Sequence, residues 1–99
     1  MITASKTISA LTISQGDTVV FDFSAWEDEF GKGTLQLWHR PHGAFVAHMV
    51  ELSVYHGQVV WTVTSEDTAA VGMGKGLLVY NAVSGAVTKS DIFDIIVPA

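Results

Sequence analysis

Four histidines are the first residues to test for chemistry in this chain: His39, His42, His48 and His56. An imidazole can ligate a metal or move a proton near neutral pH. His39 and His42 are separated by two residues, Arg40 and Pro41, and Glu51 or Asp22 could be added as a third ligand. The spacing spans a turn and fixes no third ligand, so these read as turn and sheet-surface histidines. His48 interrupts an apolar face and reads as an interface or strand-edge residue. Glu27, Asp28 and Glu29, beside Asp22, carry the oxygen ligands that calcium takes. They lack the alternating spacing of a dedicated calcium loop and read as a solvated acidic loop. Gly72, Gly74 and Gly76 resemble a phosphate loop in spacing, but they precede an expected strand. No helix N-terminus would be there to receive a phosphate. They read as a turn that uses positive φ. No Gly-x-Ser-x-Gly elbow occurs, and no cleft is evident for a pair of hydrolytic carboxylates. No catalytic, cofactor-binding or metal residue is assigned, and the chain reads as non-enzymatic.

Composition narrows the classes further. The chain has no cysteine, which removes disulfides, thiolate zinc sites and cysteine nucleophiles and leans towards intracellular assembly. The net charge is −5, and the five basic residues (Lys6, Lys32, Arg40, Lys75, Lys89) are scattered along the sequence. Both facts argue against nucleic acid and an anionic membrane as partners. The first residues lack the basic and apolar regions of a signal peptide. No apolar run approaches the roughly 18 residues that span a bilayer. A mean hydropathy of +0.36 is high for 99 residues. A dense core is the plain cause, and burial against partners is the other.

The elements that would position these residues are strands. Turn signals recur about every 8–12 residues, as in a sandwich or barrel. Residues 18–24 alternate, with Val19, Phe21 and Phe23 on one side. Residues 34–40 put Leu35 and Leu37 inward and Trp38 outward with Gln36 and Arg40. Residues 44–55 read as one long, bent strand: Val46, Val50, Leu52 and Val54 share a face with His48, and Phe45, Met49 and Tyr55 lie opposite. His56 and Gly57 form a hairpin turn. Residues 58–64 place Val59, Trp61 and Val63 inward. Residues 75–83 and 87–97 follow, through Leu77 and Val79 and through Phe93, Ile95 and Val97. Residues 7–13 read as an edge strand, and residues 25–33 as a loop. A single short helical turn is expected at residues 65–70, capped by Thr64 or Ser65. Glu66 and Asp67 would sit at its favourable end, and Gly72 would stop it. The pattern predicts one all-β domain over residues 1–99: an antiparallel, Ig-like β-sandwich of about seven strands.

Three segments resemble a known family: Ser14 to Phe23 with its Gly16-Asp17-Thr18 turn, Trp61 to Asn81 with its Thr64-Ser65-Glu66-Asp67-Thr68-Ala69 turn, and Val87 to Val97. Together they look like the small β-sandwich domains of tailed-bacteriophage virion proteins. These include the N-terminal domain of baseplate upper proteins, head-fibre proteins and capsid decoration (cement) proteins. The resemblance implies a structural protein of the virion, assembled in the bacterial host cytoplasm, with no enzymatic activity and no cofactor. It implies that the chain holds one virion component onto another, major capsid or baseplate proteins being the partners, and that it forms a homo-oligomer with a trimer favoured. Baseplate upper proteins continue into a helical stalk, whereas this sequence closes at Pro98 and Ala99. A decoration or head-fibre role therefore fits better than a baseplate adaptor.

Trp38, Phe45, Met49 and Tyr55 are the expected partner-binding residues: Trp38 lies on the polar side of its strand and the others on the less apolar side of theirs, so that they form one exposed apolar strip unless both sheet faces are buried and Trp38 is in the core. Trp26 and Phe30 would extend that strip or fold back over the end of the core. The expected core is Val19, Phe21, Phe23, Leu35, Leu37, Trp61, Leu77, Val79, Phe93 and Ile95. Two other classes compete. One is a carbohydrate-binding module, with Trp26, Trp38 and Tyr55 stacking on surface glycans. The other is a small metalloprotein or enzyme that uses His39, His42 and Glu51.

Overall fold

Two sheets face each other in the computed structural model, which describes residues 1–99. The elements in chain order are β1 (Ile2–Thr3), β2 (Leu11–Thr12), β3 (Thr18–Asp22), α1 (Ser24–Phe30), β4 (Gly33–Arg40), β5 (His48–Val50), β6 (Ser53–Tyr55), β7 (Gln58–Thr62), β8 (Gly72–Ala82), β9 (Val87–Lys89) and β10 (Phe93–Val97). The smaller sheet runs β1-β3-β7-β6 and the larger β2-β10-β8-β4-β5. Along its second flank β8 pairs β10 through Gly72–Gly76 and β9 through Val79–Asn81. The chain is thus an all-β sandwich. It has ten strands where about seven were expected. The long strands expected over 44–55 and 87–97 are each split, and the N-terminal arm contributes two short pairings. Those two pairings, β1 with β3 and β2 with β10, are parallel; the others are antiparallel. The arm therefore closes one edge of each sheet, and Ala4 and Ile13 are fully buried where it crosses between them.

The core is built by alternation, as the pattern requires. Phe21, Leu37, Val59, Trp61, Leu78, Tyr80 and Ile95 are sealed from solvent between the sheets. Phe23, Leu35 and Phe93 are also buried, as expected, while Val19 is only partly so, and Val79 is buried on the outer face of its sheet rather than in the core. Leu77 is the correction. It faces outward, because β8 pairs with β4 in the register Leu37↔Leu78 and Leu35↔Tyr80, and paired residues stand on one side of a sheet. The inward positions of the first half of β8 are therefore Gly74 and Gly76. This overturns the reading of those glycines as a turn. A Cβ on Gly76 would sit 2.6 Å from Ile95 Cδ1 and 2.7 Å from Phe93 Cε2, and one on Gly74 would sit 2.5 Å from the Arg40 carbonyl oxygen. These positions are glycine because neighbouring side chains and backbone fill the space.

The helix is also displaced from its expected place. Residues 65–68 form hydrogen-bonded turns rather than a helix, and the true helix is α1, inside the segment read as a loop. Seven residues are too few to hold a helix alone. Tertiary contact holds this one: Trp26 is buried against Tyr80 at a ring separation of 6.0 Å, and the Tyr80 hydroxyl donates a 2.6 Å hydrogen bond to the Gly31 carbonyl. Asp22 Oδ1 accepts from the Ser24 N–H at its start, and Gly31, with φ 85°, ends it. The hairpin turn appears as expected, with φ 48° at His56 and 72° at Gly57, both positive as a type I′ turn requires.

Candidate docking surface

The outer face of the larger sheet is where the expected contact residues can be tested. An outer face of an antiparallel sheet is usually solvated and polar. Here the pairs Trp38↔Leu77 and Gln36↔Val79 put two aliphatic side chains and an indole on the outside. They form the floor of an open groove of about 560 Å³, with Val87 and Ile92 on its walls. Both wall residues are largely exposed, Ile92 at 70%.

Around this apolar floor stand Arg40, Lys75 and Lys89, and no carboxylate lines the groove. Three of the five basic residues of a chain with net charge −5 thus share one surface. Lys75 is held by Asp94 at 2.5 Å from the neighbouring strand. Arg40 and Lys89 make no ion pair within the chain. The basic residues are scattered in sequence but not in space. They gather because β4, β8 and β9 are laid side by side: Arg40 faces Lys75, and Val79 faces Lys89, in register.

The structure brings together only part of the expected strip. Trp38 is half-buried and lies directly opposite Met49 across β4 and β5, so these two share a face. Phe45 stands fully exposed in the loop before β5, two residues from Ala47, which also lines the groove. Tyr55 is exposed but lies on β6 of the smaller sheet, packed edge-to-face on His56. The strand expected over 44–55 crosses from one sheet to the other at Glu51 and Leu52, and this crossing separates Tyr55 from the rest. Val46 and Val54, expected to share the inward face with Val50 and Leu52, are exposed: Val46 lies in the loop before β5, and Val54 lies beyond the crossing. Leu77, Val79, Val87 and Ile92 complete the surface. The parity of β8 was the signal that could have found Leu77.

No row of rings forms a platform for sugars. Trp26 folds back into the core, Trp61 is sealed, and Trp38 and Tyr55 belong to different sheets.

A second cluster lies on the opposite side of β4. His39 continues the inward parity of Leu35 and Leu37 and is fully buried, contrary to its reading as a surface residue. Its neighbours are His48, its partner across β5, and Asp67. Burial pushes the His39 imidazole below its ordinary pKa of 6.5; the nearby His48 adds to this, and Asp67 opposes it. His42 does not join them. Its ring packs over Gly72, and its Nδ1 lies 3.2 Å from the Met73 carbonyl oxygen.

Neither the protein-family models nor the curated proteins compared with this chain give a match.

Proposed function

We propose that this chain is a non-enzymatic docking module that works through the groove floored by Trp38, as a structural protein of a tailed-phage particle. The observation that supports the reading is the pairing of an apolar groove with a basic rim, in which Arg40 and Lys89 are unpaired, on an outer sheet face. An apolar floor alone favours any hydrophobic segment. The rim selects one that carries carboxylates beside its apolar side chain, through charge complementarity. The occupant we propose is such an acidic, apolar segment of another virion protein, a major capsid component by preference. Trp38 and Arg40 would be its anchors, since indole and guanidinium groups dominate interface energetics. Met49 and the exposed Phe45 would extend the contact along the β5 side. A capsid decoration or head-fibre role follows from the resemblance of the three sequence segments, and the groove supplies its means of attachment.

The test is binding of the purified protein to particles that lack it, read by co-sedimentation, together with its mass in solution by light scattering. Saturable binding that is lost in Ile92→Asp and weakened at least tenfold by Arg40→Glu is the expected result. Ile92 is exposed, so its variant keeps the fold, which circular dichroism checks. A monomer that leaves the particles unbound, or binding indifferent to both substitutions, removes the proposal.

A further inference from the structure

His39 is the one side chain whose buried polar atoms go without partners. Both of its ring nitrogens are shielded from solvent and accept or donate no hydrogen bond. Buried polar atoms are bonded in the great majority of cases, so an unpartnered buried imidazole beside the edge strand β5 is suited to hold a ligand. Its surroundings say which kind. Donor atoms of His39, His48 and Asp67 all lie within 4.8 Å of one another.

We propose that His39, His48 and Asp67 bind one divalent late first-row transition-metal ion, with Zn²⁺ the best match. The donor set is two imidazole nitrogens and one carboxylate oxygen. Calcium and magnesium prefer oxygen alone, whereas zinc and its neighbours accept this mixture. Ligands about 2.1 Å from a tetrahedral ion stand roughly 3.4 Å apart. His48 Nε2 and Asp67 Oδ1 stand 3.9 Å apart. His48 is the ligand free to turn towards an ion, since its side chain is half exposed on the three-residue edge strand β5.

Asp67 is already oriented for the role. Its Oδ2 accepts from Trp61 Nε1 at 3.0 Å, from the Thr64 N–H at 2.9 Å and from the Thr64 hydroxyl at 3.1 Å. Those three donors fix the carboxylate and leave Oδ1 as the free oxygen, the supporting arrangement seen around protein-bound metals. A cavity of about 210 Å³ opens above His48 and Asp67, bordered by Glu51 and Glu66. It leaves room for a water or a further carboxylate at the fourth position.

The consequence is structural. His39 and His48 belong to the larger sheet, and Asp67 follows β7 of the smaller. An ion held by all three clips the two sheets together in a chain that has no disulfide to do so.

The experiment uses untagged protein, stripped with EDTA and dialysed, and titrated with ZnCl₂ in a calorimeter. One equivalent with a Kd below 10 μM is expected, with a rise in Tm of roughly 10 °C at a hundredfold excess over Kd. Co²⁺ in place of Zn²⁺ should give the intense visible absorption of a tetrahedral site. His48→Ala should weaken binding at least thirtyfold while leaving the metal-free melt unchanged. His42→Ala and His56→Ala should leave the affinity as it was. A Kd above 100 μM, or binding that survives His48→Ala and is lost in His42→Ala or His56→Ala, overturns the proposal.

Discussion

Removing the Asp67 carboxylate should cost far more than its place in a turn implies. The three donors on Oδ2 are not equivalent. Thr64 is exposed, so in Asp67→Ala its N–H and hydroxyl can turn to water, and losing those bonds costs about 1 kcal/mol. The indole N–H of Trp61 has no such escape, because Trp61 is fully buried. Stranding it costs a further 1–3 kcal/mol or so. The total is about 3 kcal/mol, which in a chain of this size lowers Tm by roughly 12 °C. The assay is urea unfolding followed by Trp fluorescence, in EDTA so that no metal contributes. A double-mutant cycle with Trp61→Phe separates the two parts, since that background has no indole donor to strand. There Asp67→Ala should cost only about 1 kcal/mol, giving a coupling of about 2 kcal/mol. Equal costs in the two backgrounds would refute the role of the buried indole, and a total below about 1 kcal/mol would refute the whole account.

Two further outcomes follow from the same core. Because burial holds the folded-state pKa of His39 below 6.5, the unfolded chain takes up a proton there that the folded chain refuses. With metal removed, stability is therefore full above pH 6.5 and falls as the pH drops below it, by at most about 1.4 kcal/mol per pH unit. His48 and Asp67 are the titratable groups facing the ring, and His39→Leu should flatten the slope in unfolding curves taken between pH 5 and 7. Tyr80→Phe removes the hydroxyl that donates to the Gly31 carbonyl. It should cost about 1 kcal/mol and speed amide exchange in α1 while leaving β8 protected; protection unchanged in α1 would show that Trp26 alone holds the helix.

Much of the fold was legible in the sequence because sandwich strands obey a period of two and their turns use recognisable residues. The alternation through Phe21 and Phe23, through Leu35 and Leu37, through Val59 and Trp61 and through Phe93 and Ile95 identified strands and their buried faces. The positive φ turn at His56 and Gly57 was equally readable. The same alternation carried one step further, to His39, would have placed that histidine inside. What the sequence left open depends on partners distant in the chain. The parity of β8 is fixed by its register with β4, which puts Leu78 and Tyr80 inside and leaves Leu77 to floor a groove. Glycines 74 and 76 look like a turn until Phe93, Ile95 and the Arg40 backbone occupy the space a side chain would need. The helix at Ser24–Phe30 exists because Tyr80, some fifty positions away, receives Trp26 and bonds Gly31. The two candidate sites are products of the same long-range pairing. Composition and spacing determined an all-β chain with no visible catalytic motif. Only strand register, a cooperative property of the whole sandwich, gathered Arg40, Lys75 and Lys89 around Trp38 on one side of β4 and brought His39, His48 and Asp67 together on the other.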